Sequence, residues 1–212
     1  MVDSFSNSGD SVRLNPLAID WYSRPATEVA PDLIGCTLVR QMPDGSQLRG
    51  LIVETEAYGP DDPACHAYRR KTARNHVMFG PAGRTYVYLI YGIYCCLNVI
   101  TDLDGLPSAV LLRALHLETA PDWIDRDKQP ALHRIAAGPG KLCRAFKVDT
   151  GLNAYPLEVG QPLWLAHRSS QFTQALAQQK MRLTQTTRIG LTQGVDLPWR
   201  WYLANCPSVS KP

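Results

Sequence analysis

Glu54 and Glu56 stand two residues apart in Ile52-Val53-Glu54-Thr55-Glu56-Ala57-Tyr58, a β-branched and apolar run. Four tyrosines, Tyr86, Tyr88, Tyr91 and Tyr94, punctuate Thr85 to Tyr94, with Gly92 interrupting the run. Alternate side chains of an extended chain share a face, so Glu54, Glu56 and Tyr58 point one way and Val53, Thr55 and Ala57 the other. A carboxylate held beside a phenol in such a setting can take a proton from water, and tyrosine rings offer plates for a flat heteroaromatic ring. His66 and Tyr88 are available from adjoining segments to enclose the same pocket. A plainer reading pairs Glu56 with an arginine and buries the tyrosines in the core, and residue types alone leave both open.

Other chemistries fit the spacing less well. Two carboxylates could flank an O-glycosidic bond, but Glu54 and Glu56 lie only about 7 Å apart at strand rise and on one face, which does not surround a sugar. Asp61, Asp62 and His66 match no recognised metal-ligand set, and the six cysteines form no Cys-x-x-Cys pair. The sequence therefore predicts neither a metal nor a cofactor, and no disulfide framework.

The 212 residues, 45% of them apolar, suit one domain with a sizeable core. A net charge of +3 does not by itself demand a nucleic-acid partner. The distribution is more informative: Arg69, Arg70, Lys71, Arg74 and Arg84 occur with no Asp or Glu among them. Such a run can meet a phosphate backbone, or it can be a solvated basic loop. The first residues lack the apolar core of a signal peptide and no stretch is long enough to span a bilayer, so we expect a reducing, soluble compartment and no membrane partner.

The elements that must position these groups follow from turn signals and periodicity. Residues 1–15 are expected to be a flexible tail, 16–207 one domain, and 208–212 a C-terminal tail. Thr27 to Gly35 reads as a short helix, with Thr27 as N-cap and Gly35 as the stop. Thr37 to Arg40 and Leu48 to Glu54 flank the turn-forming Pro43-Asp44-Gly45-Ser46, which predicts a hairpin. Residues 59–84 read as a long irregular connection. Strands follow over Thr85 to Tyr91, Cys95 to Thr101 and Ser108 to Ala114, with the tip around Tyr91, Gly92 and Ile93 projecting. Helix is expected after Pro121, and a loop entering a helix at Gly138-Pro139-Gly140-Lys141. Pro162 to Leu165 and Pro198 to Tyr202 predict strands, with a surface helix and then a loop within 169–187.

In this order the motifs resemble the alkyladenine (3-methyladenine) DNA glycosylase family. The resemblance runs through Arg49-Gly50-Leu51-Ile52-Val53-Glu54-Thr55-Glu56-Ala57-Tyr58, Tyr86-Val87-Tyr88-Leu89-Ile90-Tyr91-Gly92, Leu97-Asn98 and Val110-Leu111-Leu112-Arg113-Ala114. It continues through Gly138-Pro139-Gly140-Lys141-Leu142, Arg188-Ile189-Gly190 and Pro198-Trp199-Arg200-Trp201-Tyr202. It implies an α+β fold: a single mixed domain with a curved, largely antiparallel β-sheet, a protruding β-hairpin and surrounding helices. It implies that Glu56 activates water at the deoxyribose carbon and that Arg113 helps hold this water. Tyr58, His66 and Tyr88 then enclose the flipped base, Asn98 disfavours guanine, and Tyr91 fills the gap in the duplex. Arg69, Arg70, Lys71, Arg74, Lys141 and Arg188 are expected on the DNA backbone. Glu54 is expected to be structural, and Tyr86 and Tyr94 to be packing.

The implied partner is damaged double-stranded DNA, bound by a monomer, in the cytoplasm of a bacterium or in a eukaryotic nucleus. A non-catalytic damage-binding module and a hydrolase of free nucleosides are the competing classes. The first would release no base, and the second would have no use for a wedge tyrosine or a basic loop.

Overall fold

In the computed structural model, which describes residues 14–128 and 131–212, the long strand is the axis of the molecule. Helix α1 (Ala26–Leu33) is followed by β1 (Thr37–Gln41), β2 (Gln47–Tyr58), β3 (Thr85–Ile90), β4 (Tyr94–Ile100) and β5 (Ala109–His116). Then come α2 (Pro139–Ala145), β6 (Leu163–Ala166), α3 (Ser170–Ala177), β7 (Leu183–Thr186) and β8 (Arg200–Leu203). The strands join in one curved antiparallel sheet of order β3-β4-β5-β2-β1-β6, giving a single mixed α+β domain. Strand β2 is long enough to take β1 beside its first half and β8 beside its second, with β5 along its other edge.

One face of the sheet carries the main core. Val53, Ala57, Val87, Leu97, Val99, Val110, Leu112 and Ala114 pack with Val29 and Leu33 of α1, Leu142 and Cys143 of α2, and Phe172 of α3. Thr55 shares that face and satisfies its hydroxyl by donating to the Ala30 carbonyl at 2.8 Å. Gly35 stops α1 at φ +89°, and a Cβ there would overlap the Phe172 ring. The opposite face is covered by the 59–84 connection, whose Cys65, Ala67, Val77 and Met78 form a smaller cluster with Tyr86, Ile100 and Ala109.

Several expectations are corrected. Helix α1 begins after Pro25, not at a Thr27 cap, and holds Pro31 as its sixth residue. Pro31 removes one backbone donor, a tolerable loss two residues from the helix end. Among the described residues after Pro121, 122–128 form turns and bends, and the short 3-10 turn Leu132–Arg134 precedes α2. The loop expected after α3 contains β7, which pairs with β8. The expected N-terminal tail lies, except for Leu14 and Asn15, outside the described residues. Ser208 and Val209, expected in a C-terminal tail, are buried against the sheet.

Candidate active site

The two carboxylates end up on the face away from the main core, both fully buried. Their surroundings differ. Glu54 accepts from Arg113 Nε at 3.0 Å, Arg200 Nε at 2.8 Å, and the backbone and hydroxyl of Ser210 at 2.7 and 2.9 Å. Glu56 accepts from the Tyr58 hydroxyl at 2.8 Å and the Ile189 backbone N–H at 2.8 Å, and pairs with Arg113 Nη1 at 3.2 Å. A carboxylate has about four acceptor directions. Three of the donors to Glu54 share Oε1 and one meets Oε2. Glu56, by contrast, has Tyr58 and Arg113 on Oε2 and the Ile189 N–H alone on Oε1, which leaves an Oε1 direction for a further donor such as water.

Arg113 reaches both carboxylates because the β2–β5 ladder is irregular. Glu54 faces Ala114 and Thr55 faces Leu112, leaving Arg113 as an extra residue on β5, while Val53 is the extra residue on β2 one step earlier. Bulges of this kind re-aim side chains beside functional sites. Burial disfavours the Arg113 charge, but Glu56 and Glu54 outweigh it and raise the guanidinium pKa, so it stays a cation. Burial and the Glu56 charge push the Tyr58 phenol well up, which keeps it a hydrogen-bond donor.

Aromatic groups stand beside Glu56. Register places Tyr86 opposite Asn98, Asn98 opposite Leu111 and Leu111 opposite Glu56, so these residues line one face in sequence across four strands. The His66 and Tyr88 rings meet edge to face with centroids 4.4 Å apart, and Tyr86 lies 5.4 Å from Tyr88. Tyr86 is more than packing, because its hydroxyl exchanges a hydrogen bond with His66 Nδ1 at 3.1 Å and fixes the ring. Burial pushes the Tyr86 phenol up to about 12. Packing around the ring and the nearby Arg74 charge lower the His66 pKa, so it is neutral at pH 7. Asn98 is buried and donates to the Tyr86 carbonyl at 3.0 Å.

The β3–β4 hairpin projects beyond this cluster. Tyr91 and Gly92 both have positive φ, 53° and 69°, and Ile93 N–H closes the turn on the Ile90 carbonyl. Tyr91 is 82% exposed and Ile93 74%, an apolar tip of the kind that marks an interaction site. Arg69, Arg70, Lys71 and Arg74 are exposed along the 59–84 connection. Arg74 stands over the Tyr88 ring at 5.5 Å and donates to the Leu89 carbonyl near the tip, and Lys71 stands over Phe79. Lys141, on α2, is also exposed, with its pKa lowered by partial burial and by Arg134 and Arg144.

Arg188 is the exception to the expected basic surface. Its side chain and that of Asp62 are both fully buried and ion-paired, and its guanidinium also bonds the Ala57 and Gly194 carbonyls. It stacks between Tyr58 at 4.7 Å and Trp199 at 5.4 Å. With no exposed guanidinium face it is a bracket behind the pocket, holding the loop whose next residue, Ile189, caps Glu56. Asp62 and Ser210 join the site from outside the motifs of the resemblance, and Ile189 and Arg200 lie within those motifs but had no role assigned to them. The signal for Arg200 is the need of two buried carboxylates for more than one cation.

The model of the methylpurine-DNA glycosylase family matches residues 20–207. The chain belongs to this family. A protein of Trichodesmium erythraeum, provisionally named a 3-methyladenine DNA glycosylase, is 56% identical over 90% of this chain and 95% of its own length. Similarly named proteins of Synechococcus sp. (strain JA-3-3Ab) and Methanocella arvoryzae are 52% and 44% identical, each over 91% of this chain and over 98% and 94% of their own lengths. The chain is accordingly a DNA glycosylase by family, with DNA as its substrate and repair as its setting. Among the described residues no helix is long and apolar enough to cross a membrane.

Proposed function

We propose that this glycosylase flips alkylated or deaminated purines out of duplex DNA and hydrolyses their N-glycosidic bond with a water activated by Glu56. The substrates in this reading are 3-methyladenine and 7-methylguanine, extending to hypoxanthine and ethenoadenine. The observation that carries it is the setting of Glu56, whose Oε1 keeps an acceptor direction open beside aromatic walls, while Glu54 is tied down by two arginines and Ser210.

The chemistry follows in order. Extrusion costs a few kcal/mol of unstacking, less at a lesion, and Tyr91 at the hairpin tip offsets part of it by occupying the gap. Tyr58, His66 and Tyr88 enclose the extruded base, and Asn98 acts against the exocyclic amine of guanine. A cationic 3-alkyladenine or 7-alkylguanine leaves readily, and positive charge grows on the sugar as the bond lengthens. Glu56 stabilises that charge and accepts the proton of the attacking water, which Arg113 helps to hold. The free base departs and an abasic sugar remains. Water is the nucleophile, so the DNA strand is not cut. Arg69, Arg70, Lys71, Arg74 and Lys141 neutralise backbone phosphates.

The test is incubation with a duplex carrying one alkylated purine, followed by detection of the free base and of strand breaks. Free base with intact strands supports the reading. Lesion binding without release would make the chain a damage-binding module, and a protein–DNA adduct trapped by borohydride would refute water as the nucleophile.

A further inference from the structure

The segment after Pro207 is tied into the site from four directions. Ser208 is fully buried, with its hydroxyl 3.1 Å from His116 Nδ1. Arg134 Nη1 donates to the Val209 carbonyl at 3.1 Å, and Arg200 Nη2 donates to the Lys211 carbonyl. Between these anchors Ser210 presents both its backbone N–H and its hydroxyl to Glu54, at 2.7 and 2.9 Å. Arg113 Nη2 lies 3.4 Å from the same hydroxyl.

We infer that Ser210 is a positioning residue for base excision, which acts through Glu54 and Arg113 to hold Glu56 in its working geometry. This rests on Glu56 being the base that activates water. Arg113 divides its guanidinium between the carboxylates, Nε to Glu54 and Nη1 to Glu56. Arg113 Nε, Arg200 Nε and the Ser210 hydroxyl share Glu54 Oε1, and the Ser210 backbone N–H meets Oε2. The Ser210 hydroxyl thus bridges Glu54 and Arg113 Nη2 and fixes the guanidinium plane, so that Nη1 remains on Glu56. Arg200 supplies the second cation that two buried carboxylates require, and Ser210 supplies two hydrogen bonds without adding charge. The C-terminal segment thus completes a site whose other parts come from β2, β5, β8 and the loop at Ile189.

The experiment is single-turnover base release by the full chain and by Ser210→Ala, Ser210→Thr and a chain ending at Pro207. It is run well below each protein's melting temperature, with affinity for a duplex bearing a tetrahydrofuran abasic analogue measured alongside. Ser210→Ala loses one charge-assisted hydrogen bond and is expected to slow release about tenfold. The truncated chain loses both bonds and is expected to slow it about a hundredfold. Ser210→Thr keeps the hydroxyl and is expected to recover most of the rate, and affinity of the two point variants for the abasic analogue is expected to stay within about twofold, since neither substitution removes a charge. A Ser210→Ala rate equal to wild type overturns the inference. So does a Ser210→Thr rate as low as that of alanine, or affinity falling in step with rate. If wild type and Glu56→Gln release base equally, the reading of Glu56 fails first, which separates that failure from one confined to Ser210.

Discussion

Replacing Asp62 by asparagine removes one charge from a pair that is fully excluded from water. Both side chains are 0% exposed, and Asp62 bonds Arg188 through both carboxylate oxygens. Breaking a buried pair from one side costs about 3–5 kcal/mol, because the surviving charge stays desolvated. Asparagine can still accept one hydrogen bond, and the Tyr58 and Trp199 faces still receive the cation, so we expect the lower end, about 3 kcal/mol. For a chain of this length that corresponds to roughly 6–12 °C in melting temperature. Urea denaturation and calorimetry measure it. The double variant Asp62→Asn/Arg188→Met removes both charges and is expected to regain stability over Asp62→Asn alone. Because Ile189 follows Arg188 and caps Glu56, Asp62→Asn should also slow base release in molecules that remain folded. A loss below about 1 kcal/mol, or a double variant no more stable than the single, would refute the bracket.

Three further outcomes are expected. Tyr91→Ala should reduce lesion affinity and the single-turnover rate together, because Ile93 beside it at the exposed tip has no ring to stack in the gap, and unchanged values would remove Tyr91 from the wedge role. Neutralising Arg69, Arg70 and Lys71 should lower the slope of log affinity against log salt by about 0.9 for each phosphate that no longer meets a cation, and an unchanged slope would leave them as a solvated face. His66 has a folded pKa below its ordinary value, so the stability and neutral stacking it contributes are present above about pH 6.5 and lost as pH falls through the lowered value. Affinity for a cationic alkylated purine should therefore be flat from about pH 7 to 8 and decline in acid. A decline that persists in His66→Phe would locate the titrating group elsewhere.

What can be read from the sequence is whatever local periodicity encodes. Alternation places Glu54, Glu56 and Tyr58 on one face, and the Pro43–Ser46 and Tyr91–Gly92 turns announce their hairpins. The long 59–84 connection is legible from its glycines and prolines, but the Tyr86–His66 hydrogen bond that orders one part of it is not. Arg188 reads as surface because its partner Asp62 lies 126 positions away, and a charge in a loop looks solvated until its counter-ion is found. Ser210 reads as tail because a short polar terminus buries little apolar surface. Its order comes from hydrogen bonds to Glu54, Arg134 and Arg200 that no local pattern records. The irregular β2–β5 register that aims Arg113 between two carboxylates is likewise a property of paired strands and not of either alone.

The central claim is that Glu56 activates the water that releases the base. Single-turnover excision of an alkylated purine from duplex DNA, compared between wild type and Glu56→Gln, tests it most directly. The glutamine keeps the shape but cannot take a proton, so the expected result is a loss of about a hundredfold or more in release with lesion binding retained. Release at a comparable rate by the two proteins would contradict the account.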